Sequence, residues 1–173
     1  MANLIITNRC NMHCDFCFAA DSRSGQLREK RVQMDEAEVR DWLAFTMAAA
    51  IQELRLLGGE PTIHPQFADF VRIGREAGCK ITVFSNGVMP EAAVEALEVL
   101  SPEECAVVIN MNAPNNAEDA QRQRKIMVRL GLRVTPGMTL TGPEFNFVVP
   151  LAAIEGFGLR KSIRIGLSNP TWQ

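Results

Sequence analysis

Six short apolar runs set the frame of this chain: NLIIT at 3–7, ELRLL at 53–57, KITVFS at 80–85, AVVIN at 106–110, RVTPGMTL at 133–140 and SIRIGL at 162–167. Each of the first five precedes a helix-compatible stretch. The first stretch opens at Asp35, with Glu38 three residues on, the spacing of a capping box ahead of VRDWLAFTMAAA. PQFADFVRIGREAG and AEDAQRQRKIMVRLG stop at Gly78 and Gly131, and PEAAVEALEVL and FNFVVPLAAIEGFG complete the set. Strand then helix, with strands that read as continuous apolar runs, predicts a parallel sheet covered by helices. Pro136 removes a backbone donor from the fifth run, which predicts an irregular strand or an edge strand.

The length of 173 residues suits one core rather than two. A net charge of -2, from 18 basic and 20 acidic residues, offers no general attraction to nucleic acid or anionic lipid. No apolar run reaches the roughly 18 residues of a membrane span, and no basic region precedes the apolar N-terminal segment. A soluble, cytoplasmic protein is expected. Five cysteines, three of them clustered, make a poor disulfide framework and suggest a reducing compartment. Cys79 and Cys105 stand alone at the ends of helix-like segments and read as buried packing residues.

The clustered thiols are Cys10, Cys14 and Cys17 in NRCNMHCDFCF, residues 8–18. Thiolates at such spacing on a loop can converge on one soft metal or cluster. Zinc would need a fourth ligand, and the nearby His13 is adjacent to Cys14, which makes joint coordination awkward. A four-iron cluster normally takes four cysteines, one per iron. Three would leave one iron open, and an open position is where metal sites do chemistry.

This stretch resembles the radical S-adenosylmethionine (SAM) enzymes, whose hallmark is C-x3-C-x-aromatic-C just after the first strand of a parallel α/β partial barrel. CNMHCDFC matches it, with Phe16 at the aromatic position. The resemblance implies a partial TIM-like (β/α)6 barrel of six parallel strands, with a [4Fe-4S] cluster on Cys10, Cys14 and Cys17. It further implies SAM chelated to the open iron and cleaved reductively to a 5'-deoxyadenosyl radical that abstracts hydrogen from a substrate. An electron donor such as flavodoxin or ferredoxin would be needed. The substrate, a peptide or a cofactor precursor, is not named by any residue.

The second run leads into LLGGEPTIHPQF, residues 56–67, where paired glycines allow close approach to the backbone and Glu60 adds a negative charge suited to a cationic group. The plainer reading is a tight βα turn with a helix cap. The resemblance assigns Gly58, Gly59 and Glu60 to the amino group of SAM, with Pro61 shaping the turn. His64, ahead of Pro65, reads as a capping or turn residue at the start of the next helix.

FSNG places Ser85 and Asn86 at the ligand face, with Gly87 supplying the turn, and INMNAP sets Asn110 and Asn112 on one side of a strand. By resemblance these polar residues bond the ribose or carboxylate of SAM, Asn110 departing mildly from the family pattern. Turn formation and strand-end solvation are the competing reading, and Thr139 and Thr141 receive no assignment. Met34, Met47 and Met127 read as core filler, while Arg23, Arg28, Lys30 and Arg31 read as a solvated loop that could also meet an anionic substrate.

Residues 1–173 are thus expected to form a radical SAM core, either the N-terminal part of a longer protein or a minimal enzyme. A metal or iron-sulfur module without SAM chemistry and a silent barrel scaffold are the rival classes. The glycine-glycine-glutamate run separates the first from the module, and the three cysteines speak against the scaffold.

Overall fold

The computed structural model describes residues 3–17, 33–112, 116–142, 155, 159 and 162–167. Strands β1 (Asn3–Thr7), β2 (Glu53–Gly58), β3 (Lys80–Ser85), β4 (Cys105–Asn110), β5 (Val134–Leu140) and β6 (Arg164–Leu167) form one sheet in chain order. Every neighbouring pair is parallel. Between them run α1 (Glu36–Ala48), α2 (Phe67–Glu76), α3 (Glu91–Glu98) and α4 (Ala117–Leu130). The helix expected after the fifth strand lies outside the described residues save Glu155.

The two faces of the sheet differ. Leu54, Leu56, Ile81, Val83, Val107 and Ile109 point to the helices and pack in one core with Phe67, Phe70, Leu97 and Leu130. The alternate residues Leu57, Phe84, Val108 and Met138 line a cavity instead. The runs read as continuous because both faces are apolar, yet in β2 buried and half-buried residues alternate strictly. α2 sits close on the sheet through Gly74, where an added Cβ would stand 2.6 Å from both Leu54 and Ile81 side chains.

Pro136 does not put β5 at an edge, since β5 lies between β4 and β6. Pairing with β6 begins only at Gly137, one residue later, so the proline occupies a stretch paired to β4 alone. The lost donor is tolerated for that local reason.

The capping box at α1 is complete: Asp35 Oδ1 accepts from Glu38 N at 2.9 Å and Asp35 N donates to Glu38 Oε2 at 2.8 Å. Asp35→Ala is expected to cost about 1 kcal/mol, read by calorimetry as a melting temperature lowered by roughly 2–4 °C. Cys79 and Cys105 are buried packing residues as expected, and so is Met127. Met34 packs partly buried against the core, whereas Met47, at the outer end of α1, is 37% exposed and is not core filler. Among the described residues no helix is long and apolar enough to cross a membrane.

Candidate active site

The strands' C-terminal ends surround a cavity of about 370 Å³, within the range of small-molecule sites. Cys10, Cys14 and Cys17 all line it, with Phe16 among them. They are half-buried and form no disulfide. Among the described residues no three Cys, His, Asp or Glu side chains converge as they would around a single ion. A four-iron cluster asks for a wider arrangement, because each cysteine binds a different iron. Three soft thiols at the cavity, with neither His nor carboxylate among the described residues that line it, fit that group. His13 is exposed and takes no part in the lining.

The loop owes its position to the glycine pair. Gly59 N donates to Thr7 O at 2.9 Å and Glu60 N to Arg9 O at 2.7 Å, which fastens the start of the cysteine loop to the end of β2. A Cβ on Gly58 would stand 2.4 Å from Thr7 O, and one on Gly59 would stand 2.3 Å from Arg9 O and 2.9 Å from Cys10 Cβ. Both glycines still line the cavity, but the backbone that most needs their bareness is the protein's own.

Glu60 corrects the expectation of a charge facing the cavity. Its side chain is fully buried and is not part of the cavity wall. Oε1 accepts from Thr62 N (3.1 Å), Thr62 Oγ1 (2.6 Å) and Ser85 Oγ (2.9 Å), and Oε2 from Asn86 N (2.7 Å). Burial pushes its pKa up, opposed by these bonds. The residue caps the 3-10 turn Pro61–Ile63, with Pro61 at its first position, so the helix-cap reading is the observed one. It clamps the end of β2 to the turn after β3.

Ser85, Asn86, Asn110 and Asn112 do gather at the cavity. Ser85 Oγ is committed inward to Glu60 and accepts from Gly87 N at 2.9 Å. Asn110 Nδ2 donates to Thr139 Oγ1 at 3.2 Å, and the Asn112 amide pairs with both backbone groups of Thr139, tying β4 to β5. His64 lies away from the cavity. It is buried after the 3-10 turn, its Nδ1 accepting from Gln66 N at 3.1 Å, and α2 begins only at Phe67. Burial lowers its pKa, which keeps the ring neutral.

Residues 4–134 match the Radical SAM superfamily. The chain belongs to that superfamily. Among curated radical SAM relatives, the GTP 3',8-cyclase of Chlorobaculum tepidum is 26% identical over 96 residues, 54% of this chain and 28% of that protein. The sporulation killing factor maturation protein SkfB of Bacillus subtilis is 27% identical over 126 residues, 70% of this chain and 28% of its own. SuiB of Streptococcus suis, solved with its precursor peptide SuiA, superposes with a TM-score of 0.71 at 17% identity, covering 95% of this chain and 38% of SuiB. At that identity the likeness speaks for the fold, a six-stranded parallel partial barrel. The chain spans about a third or less of the curated relatives' length. Enzymes of the radical SAM superfamily use a [4Fe-4S] cluster and SAM.

Two residues that line this cavity escaped the sequence reading. Gln123, buried on α4, donates from Nε2 to Asn86 O (2.6 Å) and Asn110 O (3.0 Å), bracing the ends of β3 and β4. Its signal was an amide standing in the apolar stripe of Ile126, Met127 and Leu130. Arg164 of β6 lays its guanidinium over the Phe84 ring, 4.7 Å from the centroid. It is the one cationic side chain among the described residues lining the cavity, and no acidic one joins it. A cation within SIRIGL was the available clue.

Proposed function

We propose that this chain is the catalytic core of a radical SAM enzyme that modifies a peptide. The observation that carries the reading is the gathering of Cys10, Cys14 and Cys17 with the glycine pair on one cavity at the strands' C-terminal ends. Cys10, Cys14 and Cys17 would hold the [4Fe-4S] cluster. When bound, the cluster and SAM supply one-electron reductive cleavage to methionine and a 5'-deoxyadenosyl radical that takes hydrogen from the substrate.

The chain's own residues bind, orient and shield. Gly58 and Gly59 present bare backbone beside the cysteines, where the amino end of SAM would lie, and Glu60 with Pro61 holds that backbone in place without facing the ligand. Asn110, Asn112 and Thr139 form a fixed polar rim for the ribose or carboxylate. Leu57, Phe84, Val108 and Met138 add an apolar stretch of wall, which helps to keep water from the reacting atoms.

A peptide is favoured because SkfB, by name a maturation protein for a killing factor, and the PqqA peptide cyclase of Ruegeria pomeroyi match 70% and 65% of this chain. A nucleotide or cofactor precursor is the second reading, supported by the GTP 3',8-cyclases. A flavodoxin or ferredoxin would deliver the electron, in a reducing cytoplasm that suits free thiols.

The test is anaerobic reconstitution with iron and sulfide, followed by reduction. The electron paramagnetic resonance signal of the reduced cluster should shift on adding SAM, and 5'-deoxyadenosine should accumulate under dithionite. A signal indifferent to SAM would sink the proposal.

A further inference from the structure

Asn86 lines the cavity, yet its side chain has no hydrogen left for SAM. Its amide orientation is fixed by Val88 N, which donates to Oδ1 at 2.8 Å. Nδ2 must then face the cysteine loop. There it donates to Asn11 Oδ1 at 2.7 Å and lies 4.0 Å from Cys10 Sγ, the long end of an N–H···S contact. Asn11 is held in turn, its Nδ2 donating to Val88 O at 2.8 Å, so neither amide can flip without losing a backbone partner. The backbone of Asn86 is pinned as well, N–H by Glu60 Oε2 at 2.7 Å and C=O by Gln123 Nε2 at 2.6 Å. Met12 N adds a second donor to the same sulfur at 3.4 Å.

We propose that Asn86, locked by Asn11, is a positioning residue that sets the reduction potential of a cluster bound through Cys10. This rests on the radical SAM reading above. One-electron reduction adds a negative charge that the ligand sulfurs share, and an N–H dipole aimed at Sγ stabilises that charge more than the oxidised state. Such hydrogen bonds from outside the ligand set are established levers on metal-site properties. The lever here comes from β3 and the loop that follows it, and it reaches a sulfur on the loop after β1. Glu60 and Gln123 hold its backbone, so the glycine-glutamate turn and α4 both bear on the cluster through this one amide.

The experiment is a potentiometric titration, monitored by electron paramagnetic resonance, of wild type, Asn86→Ser, Asn86→Ala and Asn86→Asp after reconstitution, without SAM, with iron and sulfide assayed in parallel. Serine and aspartate can still accept from Val88 N and keep the turn; alanine cannot. Alanine has no donor, the serine hydroxyl sits one bond short of Nδ2, which itself meets Cys10 Sγ only at 4.0 Å, and aspartate puts a carboxylate beside the sulfur.

The expected order of potentials is wild type highest, serine and alanine lower, aspartate lowest. At a fixed potential the reduced-to-oxidised ratio of the alanine variant should fall about tenfold, which for a one-electron couple is about 59 mV. A merely structural role predicts the opposite order, with aspartate nearer to wild type than alanine, and that result would overturn the inference. Full loading with unchanged potentials would also overturn it, as would loss of the cluster in all three variants. A wild-type protein that takes up no cluster would remove the radical SAM reading and this inference with it.

Discussion

Gly59→Ala is expected to abolish cluster binding as completely as Cys14→Ala, although it removes no ligand. The added Cβ would stand 2.3 Å from Arg9 O, 2.6 Å from Arg9 C and 2.9 Å from Cys10 Cβ. Carbon contacts settle at roughly 3.5–4.0 Å, so something must move by more than an ångström. The neighbours are backbone and cannot rotate away. The chain around Gly59 is held on both sides, by Gly59 N to Thr7 O and by Glu60 N to Arg9 O, so the cysteine loop must lift from β2. Lifting it carries Cys10 out of register with Cys14 and Cys17. Iron and sulfide per chain after anaerobic reconstitution should drop by at least roughly tenfold, the scale of disturbed metal-site supports. The cluster-free variant should unfold only about 1–3 kcal/mol more easily, the usual cost of overpacking. Wild-type loading in Gly59→Ala would show that the loop yields and would refute the close-packed account.

The second large effect concerns Glu60. Glu60→Ala leaves the backbone N–H groups of Thr62 and Asn86 buried without an acceptor, while the hydroxyls of Thr62 and Ser85 can turn elsewhere. Each of the two orphaned donors costs about 1–3 kcal/mol, so the loss is about 2–6 kcal/mol, seen as a melting temperature lower by roughly 4–24 °C. Glu60→Gln keeps one acceptor and sets its NH2 against one of the two N–H donors, so it should fall between wild type and Ala. Unchanged stability in Glu60→Gln with weakened SAM binding would return the carboxylate to the cavity and defeat the clamp.

The pH dependence follows from the same burial. Burial raises the folded pKa of Glu60 above its ordinary 4.5. The folded chain therefore binds this proton more tightly than the unfolded chain does. The contribution is fully present below pH 4.5 and is lost as pH rises from there through the folded value. Chemical denaturation across that window should show the wild-type advantage over Glu60→Gln shrinking as pH increases.

Much of this was legible beforehand, and the misses share a cause. NLIIT and KITVFS coincide with β1 and β3 to the residue, and the other strands were placed within two residues, because apolar runs and glycine stops are local signals. The cysteine motif and the glycine pair were found for the same reason. The direction of Glu60 was not legible, since spacing puts a residue at a strand end without saying which side of the wall it faces. The E-P-T sequence did carry the clue, an acidic cap ahead of proline at the first turn position. Asn86 was placed correctly at the cavity, but its partner Asn11 stands 75 residues away, and only the parallel order of β1 to β3 brings the two amides together. Pro136 was read against a whole strand when the relevant unit was the stretch before Gly137.

The anchoring of the cysteine loop bears on how such a protein is made. Its fastenings to β2 are main-chain bonds, and the core beneath is closed by Ile6, Leu54, Leu56 and their helices rather than by the thiols. Small zinc domains fold only as the metal arrives, because the metal supplies their folding energy. Here the apolar core supplies folding energy of its own. Folding of the sheet and delivery of iron and sulfur can therefore be separate steps, the second made to a loop whose start is fastened to β2 by backbone bonds.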